Sequence, residues 1–527
     1  MTDEITRALS LSRRRMMALG LGALLAPAFD PRQALAQPVF ADYPFQLGVA
    51  AGDPAPDGFV IWTRLAPDPL AVGHGMPARP VPVSWEVAED EAFTRIAARG
   101  EAIARPELAH AVHVEVGGLS PARPYHYRFM AGAERSLAGR ARTTPAAGAS
   151  VARARFGVVG CQHYEQGHYT AHRRLAEEDE LDFVFCYGDY IYEGRSARVW
   201  NSAAGPQGNP RQHVGQEIYS LDDYRRRYAQ YKMDADLQAS HAAAAWFVTW
   251  DDHEIDNNWA TDLDQDGTDR ALFRLRQQSA MQAYYEHMPL RRSAFPAGPG
   301  MRLYRRADYG TLLRLNLLDT RQYRSDQACG DRWGACDELE RAADMLGAAQ
   351  ERFLFDSLST SPTRWNAIAQ QVMVMDLDRD TGPGYMANPD SWGGYRAPRA
   401  RLLRHIRDRQ VANPVVLTGD EHQNYAGELH LDGRNPEGRA IATEFVATSI
   451  TSGGDGMDQQ PQMAKIQAAN PQLKFNNSQR GYLLCDVTAE RWESAFRVID
   501  QVSAPGGAVS TRARLVTPQG ESVVVPA

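Results

Sequence analysis

Four short stretches, far apart in the chain, place residues able to ligate metals or transfer protons directly after an apolar run. They are Val158-Val159-Gly160-Cys161-Gln162, Phe185-Cys186-Tyr187-Gly188-Asp189-Tyr190-Ile191-Tyr192-Glu193, Val248-Thr249-Trp250-Asp251-Asp252-His253-Glu254-Ile255-Asp256-Asn257-Asn258, and Val415-Val416-Leu417-Thr418-Gly419-Asp420-Glu421-His422. Singly, each has a structural explanation, because Gly-Asp after a strand is a common turn and an isolated His is usually a core residue. Strand ends of this kind converge on one edge of an α/β sheet. Four ends carrying carboxylate, thiolate, phenol and imidazole would gather several negative charges there, which is tolerated only if cations neutralise them.

The elements that must position these residues are legible from Arg155 onward, where buried strands alternate with helical stretches. Residues 156–159, 183–187, 246–249, 312–318, 368–375 and 415–418 read as strands, and 169–178 and 348–358 as helices. A hairpin over 481–486 and 492–500 is expected to close the sheet. Before this, residues 45–144 carry short alternating runs (59–63, 81–87, 112–116, 125–130, 137–142) separated by turns, the pattern of a β-sandwich. Ser120-Pro121-Ala122-Arg123-Pro124-Tyr125 resembles the tyrosine corner of fibronectin-type sandwiches, in which a Tyr hydroxyl ties a loop to the strand that follows. The expected division is a segment over residues 1–36, an immunoglobulin-like β-sandwich over 37–147 and an α/β domain over 148–527, with a Pro/Ala/Gly linker at Thr144-Pro145-Ala146-Ala147-Gly148-Ala149.

The first segment differs in kind. Ser12-Arg13-Arg14-Arg15-Met16-Met17 leads into the apolar run Ala18 to Ala28, and Ala34-Leu35-Ala36 offers a cleavage site before Gln37. It looks like a twin-arginine export signal, and the run is too short for a membrane anchor, which needs about 20 residues. A periplasmic or secreted protein, delivered by the twin-arginine machinery and without a stable membrane anchor, is expected. Over 527 residues the composition is 43% apolar and 23% charged, that of a soluble globular protein, and the net charge of −8 argues against nucleic acid as a dedicated partner. The Arg-rich stretches 225–227 and 399–404 read as solvated helix faces. Five cysteines are few for an exported chain: Cys329 and Cys336 are placed to pair, Cys186 and Cys485 read as buried small hydrophobes, and Cys161 stands apart.

The order Gly-Asp-x-x-Tyr, Asp-His-Glu, Gly-Asp-x-His resembles the PhoD-type alkaline phosphatases of the metallophosphoesterase superfamily. Leu47-Gly48-Val49-Ala50-Ala51-Gly52-Asp53-Pro54, Trp62-Thr63-Arg64-Leu65-Ala66-Pro67 and Leu318-Asp319-Thr320-Arg321-Gln322-Tyr323-Arg324 extend the likeness over most of the chain. The resemblance implies a metallophosphoesterase-like αββα sandwich. It also implies an Fe3+ site with Cys161, Asp189, Tyr192 and His422 as ligands, and a Ca2+ position that Asp189 bridges and Asp252 and Asp420 help to hold. Thiolate and phenolate suit trivalent iron, and carboxylate oxygens suit calcium. The implied chemistry is metal-assisted attack of water on a small-molecule phosphate ester. His253 is the candidate to stabilise developing charge or protonate the leaving alkoxide, and Arg321 is a candidate phosphate contact that would equally pair with Asp319. Glu421 stands where relatives often carry a small or apolar residue, and alternation along the strand end faces it away from the ligands.

Two stretches imitate other sites. Asp262 to Gly267 opens like an EF-hand loop, but its twelfth position is Phe273, so an acidic surface loop is expected. Thr451 to Gly456 has the composition of a phosphate loop without its Lys, and is expected to shape a pocket rim. The readings are a phosphomonoesterase that also accepts diesters, a phosphodiesterase or phospholipase D-like enzyme with the same metals, and a calcium-stiffened adhesion or binding protein. Cys161 and Tyr192 argue against the last, since structural calcium has no use for thiolate or phenolate.

Overall fold

The computed structural model describes residues 38–196, 208–298, 300–380, 382, 384–433 and 438–527; the expected export signal lies outside them. Three parallel strands rich in aromatic and β-branched residues, Arg153–Val159, Phe183–Cys186 and Ala245–Val248, lie side by side in a ten-stranded sheet. Their register pairs Val159 with Cys186 and Cys186 with Val248, so the strands end level and the residues after them emerge together. A seven-stranded sheet repeats the device, with Leu313–Leu317, Trp365–Ala369, Pro414–Thr418 and Ala442–Val446 parallel and adjacent.

Both faces of these strands are covered, which explains their continuous apolar runs. Phe156, Val158, Phe183, Phe185 and Phe247 share one core with Leu313, Leu315, Leu317, Ala367, Ala369, Val415 and Leu417 of the other sheet. The alternate residues Val159, Val184, Cys186, Trp246 and Val248 pack instead with Leu175, Tyr228 and Tyr284 of the helices Thr170–Ala176, Leu221–Lys232 and Arg270–His287. On the far side Ile368, Val416 and Val446 meet Leu354, Leu358, Leu402 and Ile406 of Gly347–Ser359 and Arg396–Asp408. The fold is thus α/β, with mixed sheets and helices.

The early strands do not stand alone. Val49–Ala55, Gly58–Arg64 and Ala111–Val116 continue the ten-stranded sheet, with Ala51 and Gly52 pairing in parallel with Ala245 and Trp246, while a five-stranded sheet covers them. The shared core runs from Phe59, Ile61 and Val116 to Val83, Tyr125 and Phe129. Backbone hydrogen bonding therefore crosses the boundary placed at residue 147. The motifs in this part fasten it to the rest: Trp62 Nε1 donates to Glu286 O (2.9 Å), and Arg305 pairs with Asp53 (2.6 Å). The Ser120 N–H donates to the Tyr125 hydroxyl (2.9 Å), the tie expected of that corner.

Several local expectations shift. The strand expected over 368–375 ends at Ala369; beyond it the polar Gln370 and Gln371 and the apolar run 372–375 stay buried, but Val374 N and Met375 N donate to the Glu444 carboxylate rather than to a neighbouring backbone. The hairpin Gly481–Thr488 and Arg491–Ile499 forms, yet Val509–Pro518 and Val525–Pro526 extend the sheet past it. Arg225, Arg227 and Arg399 are not solvated. Arg225 is buried against Glu286, Arg227 donates to the carbonyls of Tyr192, Gly194 and Gln216, and Arg399 to those of Val374, His430 and Leu431. Long side chains that satisfy buried carbonyls look, in sequence, like a charged face. Cys329 and Cys336 form a disulfide, and Cys161, Cys186 and Cys485 are buried free thiols.

Candidate metal centre

Cys161, Asp189 and His422 present ligand atoms within 4.8 Å of one another; so do Asp189, Asp252 and His253, and so do Asp251, Asp252 and Asp420. Asp189 and Asp252 each belong to two groups, so the three are one continuous cluster. The Tyr192 hydroxyl donates to Asp189 Oδ2 (2.7 Å) and lies 3.3 Å from His422 Nε2. The six residues singled out as ligands therefore meet, although they come from four separate strand ends.

Glycine makes this approach possible. A Cβ on Gly160 would lie 2.2 Å from the Tyr187 ring and one on Gly419 2.1 Å from it, so the two strand ends close on opposite sides of one aromatic. At Gly188, with φ 129°, a Cβ would lie 2.1 Å from Asp251 N. The residues that follow are themselves in the left-handed region: Cys161 (φ 50°), Asp189 (53°), Asp420 (65°) and His422 (53°). Each such conformation costs on the order of 1–3 kcal/mol in a non-glycine residue and persists only where surrounding structure imposes it, as functional sites do.

Three groups that sequence reasoning did not single out impose it here. The Glu254 carboxylate accepts from Asp189 N (3.1 Å), Tyr190 N (2.7 Å) and Asp251 N (2.9 Å), tying the loop of Asp189 to its own. Arg480 donates to His422 O (2.6 Å), Ser452 O (2.6 Å) and Ser449 Oγ (2.5 Å). The Ser452 hydroxyl in turn sits 2.6 Å from Tyr192 Oη and 2.7 Å from Cys161 O, so the Thr451–Gly456 loop braces the ligands. Glu254 was visible inside the Asp-His-Glu motif and Ser452 inside the stretch Thr451 to Gly456; Arg480 carried no local signal.

Arg321 is fully buried and surrounded by acids: Nε donates to Asp251, Nη1 to Asp390 (2.7 Å) and Nη2 to Asp420 (3.2 Å), with Asp252 at 3.6 Å. The side chain anticipated as a phosphate contact is thus engaged with carboxylates and has no exposed surface, and only its own N–H reaches Asp319 (3.0 Å). His253 is more open. Its Nδ1 lies 2.7 Å from Glu193 Oε2, and its ring stacks on Tyr192 at 4.1 Å. Glu421 turns to Arg379 (2.5 Å) and Asn388 (3.2 Å).

The electrostatics fit a cation site. Burial, reinforced by neighbouring carboxylates, pushes Asp189 and Asp420 well above the usual carboxylate range, and burial followed by Asp189 and Asp420 pushes the Cys161 thiol up. Burial also raises Asp251 to about 6, with Arg321 opposing. At Asp252 burial acts upward but Arg321 and His253 outweigh it, so that group is held down. Burial, aided by Arg480, lowers His422 to about 3 and leaves a neutral imidazole, the form that ligates metals. Asp251 Oδ2 and Asp252 Oδ1 are buried with no hydrogen-bond partner. A buried acidic cluster of this kind, with unpartnered oxygens, is stable as anions only with cations among them.

Sequence comparison sets the family. The family model described as PhoD-like phosphatase matches residues 156–496, and that for the PhoD-like phosphatase N-terminal domain matches residues 32–145. Alkaline phosphatase D of Bacillus subtilis (strain 168) is 46% identical over 504 residues, covering 95% of this chain and 85% of that protein. A solved structure described as the structure of PhoD superposes with a TM-score of 0.89 at 46% identity, over 93% of each chain. The chain belongs to the PhoD-like phosphatase family.

Proposed function

We propose that this protein is an exported, metal-dependent alkaline phosphatase that hydrolyses small-molecule phosphate monoesters and also accepts diesters. The reading rests on one observation above others: the thiol of Cys161 meets the imidazole of His422 and the carboxylate of Asp189 beside a second group of acids. In it, Cys161, Asp189, Tyr192 and His422 hold Fe3+, and Asp189, Asp252 and Asp420, joined by Asp251, hold Ca2+. Cations bound there supply charge for the phosphate oxygens and acidify water at neutral or alkaline pH.

The chain's own residues do the rest. His253, held through Nδ1 by Glu193, turns its other nitrogen to the reacting group and supplies positive charge or a proton to the leaving oxygen. Arg321 acts as a positioning residue that keeps Asp252 ionised and holds Asp251 and Asp420 in place. Residues 1–36 are read as a twin-arginine signal; among the described residues no helix is long and apolar enough to cross a membrane. The two-domain division at 147, the immunoglobulin-like identity of the first part and the αββα layering of the second remain part of this reading. The shared core of the two sheets and the helices packed outside each support the last. The test is elemental analysis of the natively exported protein together with hydrolysis of a monoester and a diester. Iron, calcium and monoester turnover support the reading; a folded, metal-loaded protein that turns over neither ester refutes it.

A further inference from the structure

Among the described residues Trp333 is the one exposed tryptophan, with 52% of its surface open. It sits on a short loop pinned at every side. The disulfide Cys329–Cys336 closes the loop, Gly334 and Ala387 exchange backbone hydrogen bonds (3.2 and 3.3 Å), and Asn258 Nδ2 donates to Asp331 Oδ2 (2.7 Å). Ala328, Leu339 and Ala387 give it a small core of its own.

Both of its anchors lead to the metal cluster. Asn258, which holds Asp331, donates its backbone N–H to Asp252 Oδ2 (2.8 Å). On the other side the Arg379 guanidinium lies 4.7 Å over the Trp333 ring and 2.5 Å from Glu421, the residue between Asp420 and His422. The cluster is deeply buried except along two runs, residues 420–423 and His253 with Asn257 and Asn258, which are half-buried. These runs are the ones to which the Trp333 loop is tied, so the loop lies beside the less buried edge of the cluster. Arg379 covers one face of the indole.

We propose that the free face of Trp333 is a stacking subsite for the organic group of the substrate, selecting planar aromatic leaving groups over aliphatic ones. The proposal rests on the phosphatase reading for the position of the phosphate, but the preference it predicts belongs to Trp333 alone. Stacking on an aromatic side chain favours a planar group by roughly 5- to 150-fold in affinity.

The experiment compares phenyl phosphate with methyl phosphate as substrates of the metal-loaded protein and of Trp333→Ala and Trp333→Phe. The expected result is a fall of about tenfold in kcat/KM for phenyl phosphate in Trp333→Ala, the lower part of the stacking range. Methyl phosphate should be unchanged within about twofold, and Trp333→Phe should retain most of the preference. Equal falls for both substrates, or no fall for either, overturn the subsite. Calorimetric binding of phenylphosphonate and methylphosphonate reads the same preference without turnover. If neither ester is hydrolysed, the phosphatase reading fails, while loss of phenylphosphonate preference in Trp333→Ala still supports the subsite and its persistence overturns it.

Discussion

Replacing Gly419 by Ala tests whether close approach of strand ends is what places the ligands. Gly419 does not have a positive φ, so the backbone itself accepts Ala and the effect is steric. The new Cβ would lie 2.1 Å from Cε2 and 2.2 Å from Cζ of Tyr187, a ring that is fully buried and whose hydroxyl donates to Thr448 O (3.0 Å). The ring is held on its other side by Gly160, so the strand end carrying Asp420 and His422 must move by about 1 Å to restore ordinary contact. Overpacking of this kind costs roughly 1–3 kcal/mol, which leaves a protein of ordinary stability folded. A displacement near 1 Å at a reacting site lowers rate by about a hundredfold. The expected result is therefore a cooperative unfolding transition at a slightly lower urea midpoint with kcat/KM for a phosphate monoester down about a hundredfold, partly recovered when Tyr187→Leu is added. Parental kcat/KM in Gly419→Ala, within about threefold, would refute the packing argument.

Removing the Glu254 carboxylate as Glu254→Ala leaves three buried backbone donors unpaired, at about 1–3 kcal/mol each, so the loops of Asp189 and Asp251 should loosen. Metal retention and turnover should both fall, and unchanged metal content would contradict the clamp. Lys232 is buried beneath Trp62 and Tyr190, and burial lowers its pKa from 10.5 to about 7. The folded state then binds fewer protons than the unfolded chain between these values, so stability rises with pH from about 7 to about 10.5, by a ceiling of roughly 5 kcal/mol. Lys232→Met should raise the urea midpoint at pH 7 and flatten that rise; a variant less stable than the parent at pH 7 would contradict it.

The candidate ligands were legible because each lies shortly after the end of a strand, and the Gly before Cys161, Asp189 and Asp420 marks the turn. What was not legible depends on distant segments meeting. Arg480 reaches the site from the start of a late strand, and nothing near it in sequence announces that its carbonyl partners belong to His422 and Ser452. Arg321 read as a phosphate ligand because guanidinium suits both phosphate and carboxylate; only packing shows which it meets. The run 372–375 has strand composition, but the Glu444 carboxylate takes the place of a neighbouring backbone for the N–H groups of Val374 and Met375, an exchange that periodicity does not encode. Among the early strands Pro124–Ala131 alternates as expected, but Gly58–Arg64 is buried at every position because it is covered on both faces, and a pattern of burial does not say which sheet a strand joins, so its fusion with the large sheet was hidden.

Iron measured in Cys161→Ala decides whether the thiol holds a metal. The parent is expected to carry iron, and the variant, folded and still binding calcium, to have lost the iron and with it the hydrolysis of a monoester. A variant that keeps both iron and the parental rate would contradict it.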